Sequence, residues 1–155
     1  MKVCDVYSHH SALEKILEKQ SVFAEIKRVL DDSSMGFSKN RPQEIKAKVA
    51  DGFNRLGWAD RVRVSNDSRL TINFLKDRVG ICFQLGNIAR TYADILKLAV
   101  LGKKNIIDVG VIIVPDQIES NKLGANYARY DRLASEMVEF SEIIDVPLLI
   151  LALSD

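Results

Sequence analysis

The sequence predicts one α/β domain in which a mixed β-sheet is flanked by helices. The chain has 155 residues, of which 47% are hydrophobic and 28% charged, and this length and balance suit a single globular core. Hydrophobic residues recur at helical spacing in the first third of the chain, and the spacing changes to two after Trp58. Beyond residue 86, helical patterns alternate with short, almost wholly apolar segments, as in sheets whose strands are joined by helix crossovers.

Two helices are predicted in the N-terminal part. Ser11 and Glu14 have the spacing of a capping box, so the first helix is expected to begin at Ser11 and to end near Asp32. Residues 33–41 are expected to form a loop. Pro42 suits the first turn of a second helix, and Gly57 is placed to end it.

Three strands are predicted next, over residues 61–65, 70–75 and 78–85. The third strand alternates most clearly. One face is expected to carry Val79, Ile81, Phe83 and Leu85, and the other Gly80, Cys82 and Gln84.

The last part of the chain is predicted to alternate between helices and buried strands. A helix is expected from about Asn87 to Leu101, followed by a strand over residues 105–114 that Pro115 ends. A helix over residues 125–142 and a strand over residues 146–153 complete the order αα-βββ-α-β-α-β. With no repeat and no linker, residues 1–155 are expected to form a single domain.

Composition excludes several classes of protein. The longest apolar runs fall well short of the ~20 residues that a membrane helix needs. The N-terminus lacks the basic and then apolar pattern of a secretion signal. Cys4 and Cys82 are too far apart for a paired-cysteine metal motif or a disulfide framework. A cytoplasmic protein that does not bind membranes is therefore expected.

The net charge of +1 conceals an asymmetry along the chain. Residues 39–104 hold fourteen Lys and Arg against six Asp and Glu, whereas residues 105–155 hold three against nine. A basic segment of this kind is typical of proteins that bind a polyanion such as nucleic acid. The alternative is ordinary solvation of a protein surface.

Four short segments carry a family resemblance. Residues 84–87 read Gln-Leu-Gly-Asn, residues 94–97 Asp-Ile-Leu-Lys, residues 107–115 Ile-Asp-Val-Gly-Val-Ile-Ile-Val-Pro, and residues 145–150 Asp-Val-Pro-Leu-Leu-Ile. In this order they resemble the BglII-type restriction endonucleases of the PD-(D/E)xK nuclease superfamily, over roughly residues 36–153. The resemblance implies a restriction-endonuclease-like fold and Mg²⁺-dependent phosphodiester hydrolysis in duplex DNA. It also implies a homodimer that binds the two half-sites of a symmetric DNA sequence.

The resemblance also implies a catalytic centre at Asn73, Cys82 and Gln84. The family has an aspartate in the strand position of Asn73 and a glutamate in the position of Cys82, while Gln84 matches the glutamine of its Glu-x-Gln motif. The metal is expected at Asn73 and Cys82 with Glu44 as a replacement ligand. Asp77 and Asp94 are further candidates, and solvation of a surface acid is the alternative for all three.

These substitutions bear directly on catalysis. At ~4 Å and an effective dielectric constant of ~20, one carboxylate attracts a divalent cation by about 8 kcal/mol before desolvation is counted. Asn73 offers a neutral oxygen, and Cys82 offers a soft sulfur that hard cations avoid. Cleavage by this chain is therefore expected to be reduced or lost. If the chain is active, it is expected to act as a type II site-specific deoxyribonuclease.

Phosphate contacts are expected from basic residues near the centre, namely Lys39, Arg41, Lys46, Lys76 and Arg78. Two other functions stay open. The chain could be a non-catalytic scaffold or regulatory subunit with a nuclease fold. It could also be an unrelated enzyme that uses Cys82 as a nucleophile.

Overall fold

One six-stranded mixed sheet organises the protein. The computed structural model describes residues 1–155. The strands are β1 (Lys2–His9), β2 (Ala59–Arg63), β3 (Thr71–Lys76), β4 (Val79–Phe83), β5 (Val109–Pro115) and β6 (Leu148–Ser154). They lie side by side in the order β1-β6-β5-β4-β3-β2. The central strands β4, β5 and β6 are parallel, and β1, β2 and β3 join the sheet antiparallel.

Helices cover both faces of this sheet. They are α1 (Ala12–Leu17), α2 (Gln20–Leu30), α3 (Pro42–Arg55), α4 (Ala89–Lys103), α5 (Gln117–Leu123) and α6 (Tyr130–Glu139), with a 3₁₀ turn at Ser33–Met35. The core on one face includes buried residues of α1, α2 and α3, and the core on the other face includes buried residues of α4 and α6. None of the helices combines the length and the apolar character that crossing a bilayer requires.

The α/β fold class predicted from the sequence is confirmed, and so is the alternation in β4. Val79, Ile81 and Phe83 lie in the core beneath α1–α3, whereas Cys82 lies in the core beneath α4. Every residue of β5 is buried, as expected for a strand that is covered on both faces.

The N-terminal prediction is wrong in two respects. Residues 2–9 form the edge strand β1, where no strand was predicted, and the expected first helix is divided into α1 and α2. Ser11 makes no side-chain cap, and its φ of 56° places it in the left-handed region. The hydroxyl of Ser8 instead accepts from the Leu13 N–H at 2.9 Å.

The helix predicted over residues 125–142 is shorter, because its first part pairs with another segment. Tyr127 forms an isolated antiparallel bridge with Asn87. On either side of it, the Ile88 N–H donates to the Asn126 carbonyl at 2.8 Å, and the Ala128 N–H donates to the Gly86 carbonyl at 2.7 Å. These tertiary hydrogen bonds leave the helix to begin at Tyr130.

Candidate active site

The hairpin of β3 and β4 brings Asn73 and Cys82 together. The backbone pairing of the two strands ends at Phe74 and Ile81. Beyond that pair, the Asn73 side-chain oxygen Oδ1 accepts from the Phe83 N–H at 2.8 Å. The amide of Asn73 thus takes the place of a backbone carbonyl next to Cys82.

Cys82 is completely buried in the layer between the sheet and α4. Burial raises the pKa of the Cys82 thiol, the Asp94 carboxylate raises it further, and the Lys97 ammonium partly opposes both effects. The thiol is therefore protonated and uncharged at neutral pH. A buried neutral thiol is a poor nucleophile and a poor metal ligand.

Gln84 connects the end of β4 to a buried ion pair on α4. Its Nε2 donates to Asp94 Oδ2 at 3.2 Å, and both side chains are more than nine-tenths buried. Asp94 Oδ1 pairs with Lys97 Nζ at 2.5 Å, and Lys97 also donates to the Thr71 carbonyl at 2.8 Å. The charge of Asp94 is therefore balanced within the protein.

The residues at this centre do not fit Mg²⁺. Nowhere do three His, Cys, Asp or Glu side chains lie close enough together to hold a metal ion. The Asn73 oxygen already accepts a hydrogen bond, the Cys82 thiol is protonated, and Asp94 is paired with Lys97. Magnesium requires several available hard oxygen ligands, and this centre supplies none that is both charged and unpaired.

Glu44, the expected replacement ligand, stabilises the start of α3 instead. Its Oε2 accepts from the Arg41 backbone N–H at 2.9 Å, and its side chain is exposed. Asp77, another candidate ligand, lies in the turn between β3 and β4, at the opposite end of the hairpin from Gln84.

The five basic residues expected to contact DNA occupy different environments. Lys76 donates to both oxygens of Glu25 at 2.8 Å, and Arg78 pairs with Asp108 at 2.8 Å, so these two cations are already neutralised. The remaining three form no ion pair; Lys39 and Arg41 are exposed and Lys46 is half-buried.

Arg90 is a charged residue on the same helix as Asp94 and was not among the residues predicted for the site. It lies in the first turn of α4, four residues before Asp94 and seven before Lys97, so all three occupy the same side of that helix. Burial lowers the pKa of Lys46, and the Arg90 guanidinium lowers it further while Asp94 opposes the change. The spacing of Arg90, Asp94 and Lys97 was visible in the sequence, but the effect of Arg90 on the pKa of Lys46, a residue of α3, was not.

The six-stranded mixed sheet with helices on both faces is an α/β fold of the restriction-endonuclease-like class. A family model described as restriction endonuclease BglII/BglIII matches residues 4–153. The chain therefore belongs to the BglII/BglIII restriction endonuclease family.

Solved structures agree with this assignment at the level of the fold. The chain superposes on restriction endonuclease BglII complexed with a DNA 16-mer with a TM-score of 0.80 at 19% identity, covering 100% of this chain and 77% of that one. It superposes on free BglII with a TM-score of 0.69 at 16% identity, covering 100% of this chain and 80% of that one. Among curated protein sequences no match was found.

Proposed function

We propose that this protein binds duplex DNA with a restriction-endonuclease fold and that its capacity for Mg²⁺-dependent phosphodiester hydrolysis is reduced or lost. The proposal is supported by the chemistry at positions 73 and 82, where the family resemblance implies catalytic acids. These positions hold a hydrogen-bonded amide and a protonated thiol, and the neighbouring Asp94 carboxylate is paired with Lys97.

The physical reason is the loss of charge. A divalent ion activates water and stabilises the developing negative charge only where anionic oxygen ligands hold it against its hydration shell. Each missing carboxylate removes about 8 kcal/mol of gross Coulomb attraction for a divalent ion at ~4 Å and a dielectric constant of ~20. Without the two carboxylates, most of the net free energy of metal binding that remains after desolvation is lost as well.

Binding of DNA is supported by the basic residues that remain free. Lys39, Arg41 and Lys46 form no ion pair within the protein, so their charges are available to phosphate groups. The similar structure of BglII was determined in complex with a DNA 16-mer. We expect affinity to fall steeply as salt is added, because phosphate contacts release counterions.

Supercoiled plasmid incubated with the protein and Mg²⁺ or Mn²⁺ tests the loss of cleavage. The expected result is that the plasmid stays supercoiled while the same preparation retards it in a low-salt gel. Robust nicking or linearisation contradicts the proposed loss. Failure to bind any duplex at low salt contradicts the DNA-binding function and supports a scaffold or regulatory role.

We further propose that the protein acts as a homodimer, since a two-fold dimer presents one site to each half of a symmetric DNA sequence. An exposed apolar cleft of about 300 Å³ supports a contact between two copies. It includes Leu96, which is 61% exposed, and Ile143, which is 76% exposed.

Light scattering on the purified chain is expected to give twice the monomer mass, and Leu96→Lys with Ile143→Lys is expected to give the monomer mass.

A further inference from the structure

We propose that Asp155 is a positioning residue for the binding of DNA. Its side chain holds the loop of residues 36–41 in the conformation that presents Lys39 and Arg41 to phosphate groups. The inference rests on the proposed binding of duplex DNA, and Asp155 acts through this loop and not through contact with the nucleic acid.

The Asp155 carboxylate binds the backbone at the start of the loop. The Phe37 N–H donates to its Oδ1, and the Ser38 N–H donates to its Oδ2 at 2.9 Å. A Cβ atom on Gly36 would lie 2.9 Å from the same Oδ1, so the approach of the carboxylate requires glycine at position 36. Both oxygens of Asp155 are therefore bound to the loop.

Asp155 is a firm anchor because of what precedes it and because of its charge. It follows β6, of which residues 148–153 are buried in the sheet. Burial raises the pKa of Asp155, but the hydrogen bonds from Ser38 and Phe37 outweigh this effect and lower the pKa below its usual value. The carboxylate is therefore ionised at neutral pH, and hydrogen bonds to an ionised acceptor are stronger than those between neutral groups.

The other end of the loop is fixed by Asn40 and by a lysine of α3. The Asn40 Nδ2 donates to the Ser34 carbonyl at 2.9 Å and to the Gly36 carbonyl at 3.0 Å. Lys48 Nζ donates to Asn40 Oδ1 at 2.8 Å. The loop is thus held from two sides, by Asp155 after β6 and by Lys48 on α3.

Two free cations lie at this loop. The side chains of Lys39 and Arg41 are exposed and form no ion pair. A loop that is already ordered in the free protein loses less conformational entropy when a ligand binds. Neutralising Asp155 is therefore expected to weaken the binding of DNA, although removal of a negative charge by itself favours binding to a polyanion.

Limited proteolysis tests the hold on the loop without DNA. Trypsin cleaves after Lys39 but not between Arg41 and Pro42, so cleavage after Lys39 reports how often the loop opens. Asp155→Asn keeps the shape of the side chain and removes its charge, and cleavage there is expected to be about tenfold faster than in the parent.

Asp67→Asn is the matched control. Asp67 is an exposed carboxylate in the segment between β2 and β3 and forms no ion pair. Its replacement changes the net charge by the same amount as Asp155→Asn. We expect it to be cleaved after Lys39 at the rate of the parent.

Fluorescence anisotropy with a labelled duplex at low salt tests the consequence for binding. Asp155→Asn is expected to weaken binding about fivefold, whereas Asp67→Asn leaves it unchanged or strengthens it. In a chain that also carries Lys39→Gln and Arg41→Gln, Asp155→Asn is expected to have no further effect, because the two cations that it positions are gone. All variants are expected to keep the circular dichroism spectrum of the parent.

The outcomes separate this role from the proposed function. Equal rates of cleavage after Lys39 in Asp155→Asn and the parent overturn the hold on the loop, whatever the protein binds. Binding by Asp155→Asn that is as tight as that of the parent, or an equal loss with and without Lys39 and Arg41, overturns the positioning role while DNA binding stands. If the parent binds no duplex at low salt, the proposed function fails and the positioning role fails with it.

Discussion

Asn73 has a structural role in the sheet that does not depend on catalysis. Its side-chain oxygen accepts from the Phe83 backbone N–H, at the point where β3 and β4 cease to pair through their backbones. A partly buried N–H without an acceptor costs free energy. The amide at position 73 therefore keeps the acceptor that an aspartate would supply while giving up its charge.

Replacing Asn73 by alanine is expected to lower the free energy of unfolding by about 1 kcal/mol, because the Phe83 N–H loses its acceptor. Asn73→Asp is the matched control, since it keeps an acceptor at the same place. Urea denaturation of both variants and the parent checks this. An alanine variant as stable as the parent would show that the hydrogen bond contributes nothing.

The two cysteines are expected to differ sharply in reactivity. Cys4 is exposed, whereas Cys82 is completely buried and the pKa of its thiol is raised by that burial. Titration with a thiol reagent is expected to modify one thiol per chain in the folded protein and two after denaturation, with Cys4→Ser removing the fast reaction. Rapid modification of Cys82 in the folded protein would contradict the uncharged, buried state of its thiol. It would instead support the alternative that Cys82 is the nucleophile of an unrelated enzyme.

At the scale of single residues, the family resemblance selected positions 73, 82 and 84, and strand periodicity predicted the face of the sheet on which Cys82 lies. Alternation along β4 placed Cys82 on the face opposite Ile81 and Phe83, and the structure confirms it. Sequence could not show that Lys97 neutralises Asp94 and also donates to the Thr71 carbonyl, because these contacts depend on the packing of α4 against the hairpin.

At the scale of elements, β1 shows where a period-two pattern fails. This edge strand pairs with β6, and its register shifts between Val3 and Asp5. A bulge at Cys4 breaks the alternation of inward and outward side chains, and most residues of the strand are exposed or half-buried. The sequence therefore carries little signal for the strand, which depends on the strongly apolar β6 beside it.

The end of β1 is held in place by a histidine. His9 is 3% exposed, and its Nε2–H donates to the Ile144 carbonyl in the segment between α6 and β6 at 2.6 Å. Burial lowers the pKa of His9 below 6.5, the hydrogen bond to Ile144 opposes this, and the neighbouring His10 lowers it further. The folded protein therefore favours the neutral imidazole.

Stability is expected to fall as the pH drops below about 6.5, because the unfolded chain binds a proton at His9 before the folded protein does. The contribution of neutral His9 to the free energy of unfolding is fully present above the pKa of His9 in the unfolded chain. It is lost as the pH falls toward and below the lower pKa of His9 in the folded protein. His9→Gln keeps a donor but cannot titrate, so its melting temperature should depend less on pH in this window. An unchanged pH dependence in this variant would rule out His9 as its source.

The helix predicted over residues 125–142 is shortened by tertiary hydrogen bonds. Its sequence favours a helix, yet residues 126–128 pair with residues 86–88 beside the start of α4. Tertiary hydrogen bonds override local propensity here. The pairing also braces the segment between Gln84 and Arg90, both of which belong to the candidate centre.

At the scale of the whole molecule, the fold does not depend on catalytic carboxylates. Two apolar layers enclose the sheet, and Cys82 contributes to one of them as a small buried side chain. Exchanging a buried acid for a thiol beside Asp94 removes a like-charge repulsion in a low-dielectric layer. A chain of this family thus keeps its architecture with an amide at position 73 and a thiol at position 82.

In the proposed function, positions 73 and 82 are the two places where acidic side chains would hold a metal ion. Restoring both acids with Asn73→Asp and Cys82→Glu tests it most directly, with Cys82→Gln as the control that matches glutamate in shape but lacks its charge. Isothermal titration calorimetry with Mn²⁺ is the measurement. The expected result is saturable binding by the double variant and none by the parent or the Cys82→Gln control; a correctly folded double variant that binds Mn²⁺ no better than the parent would contradict the assignment.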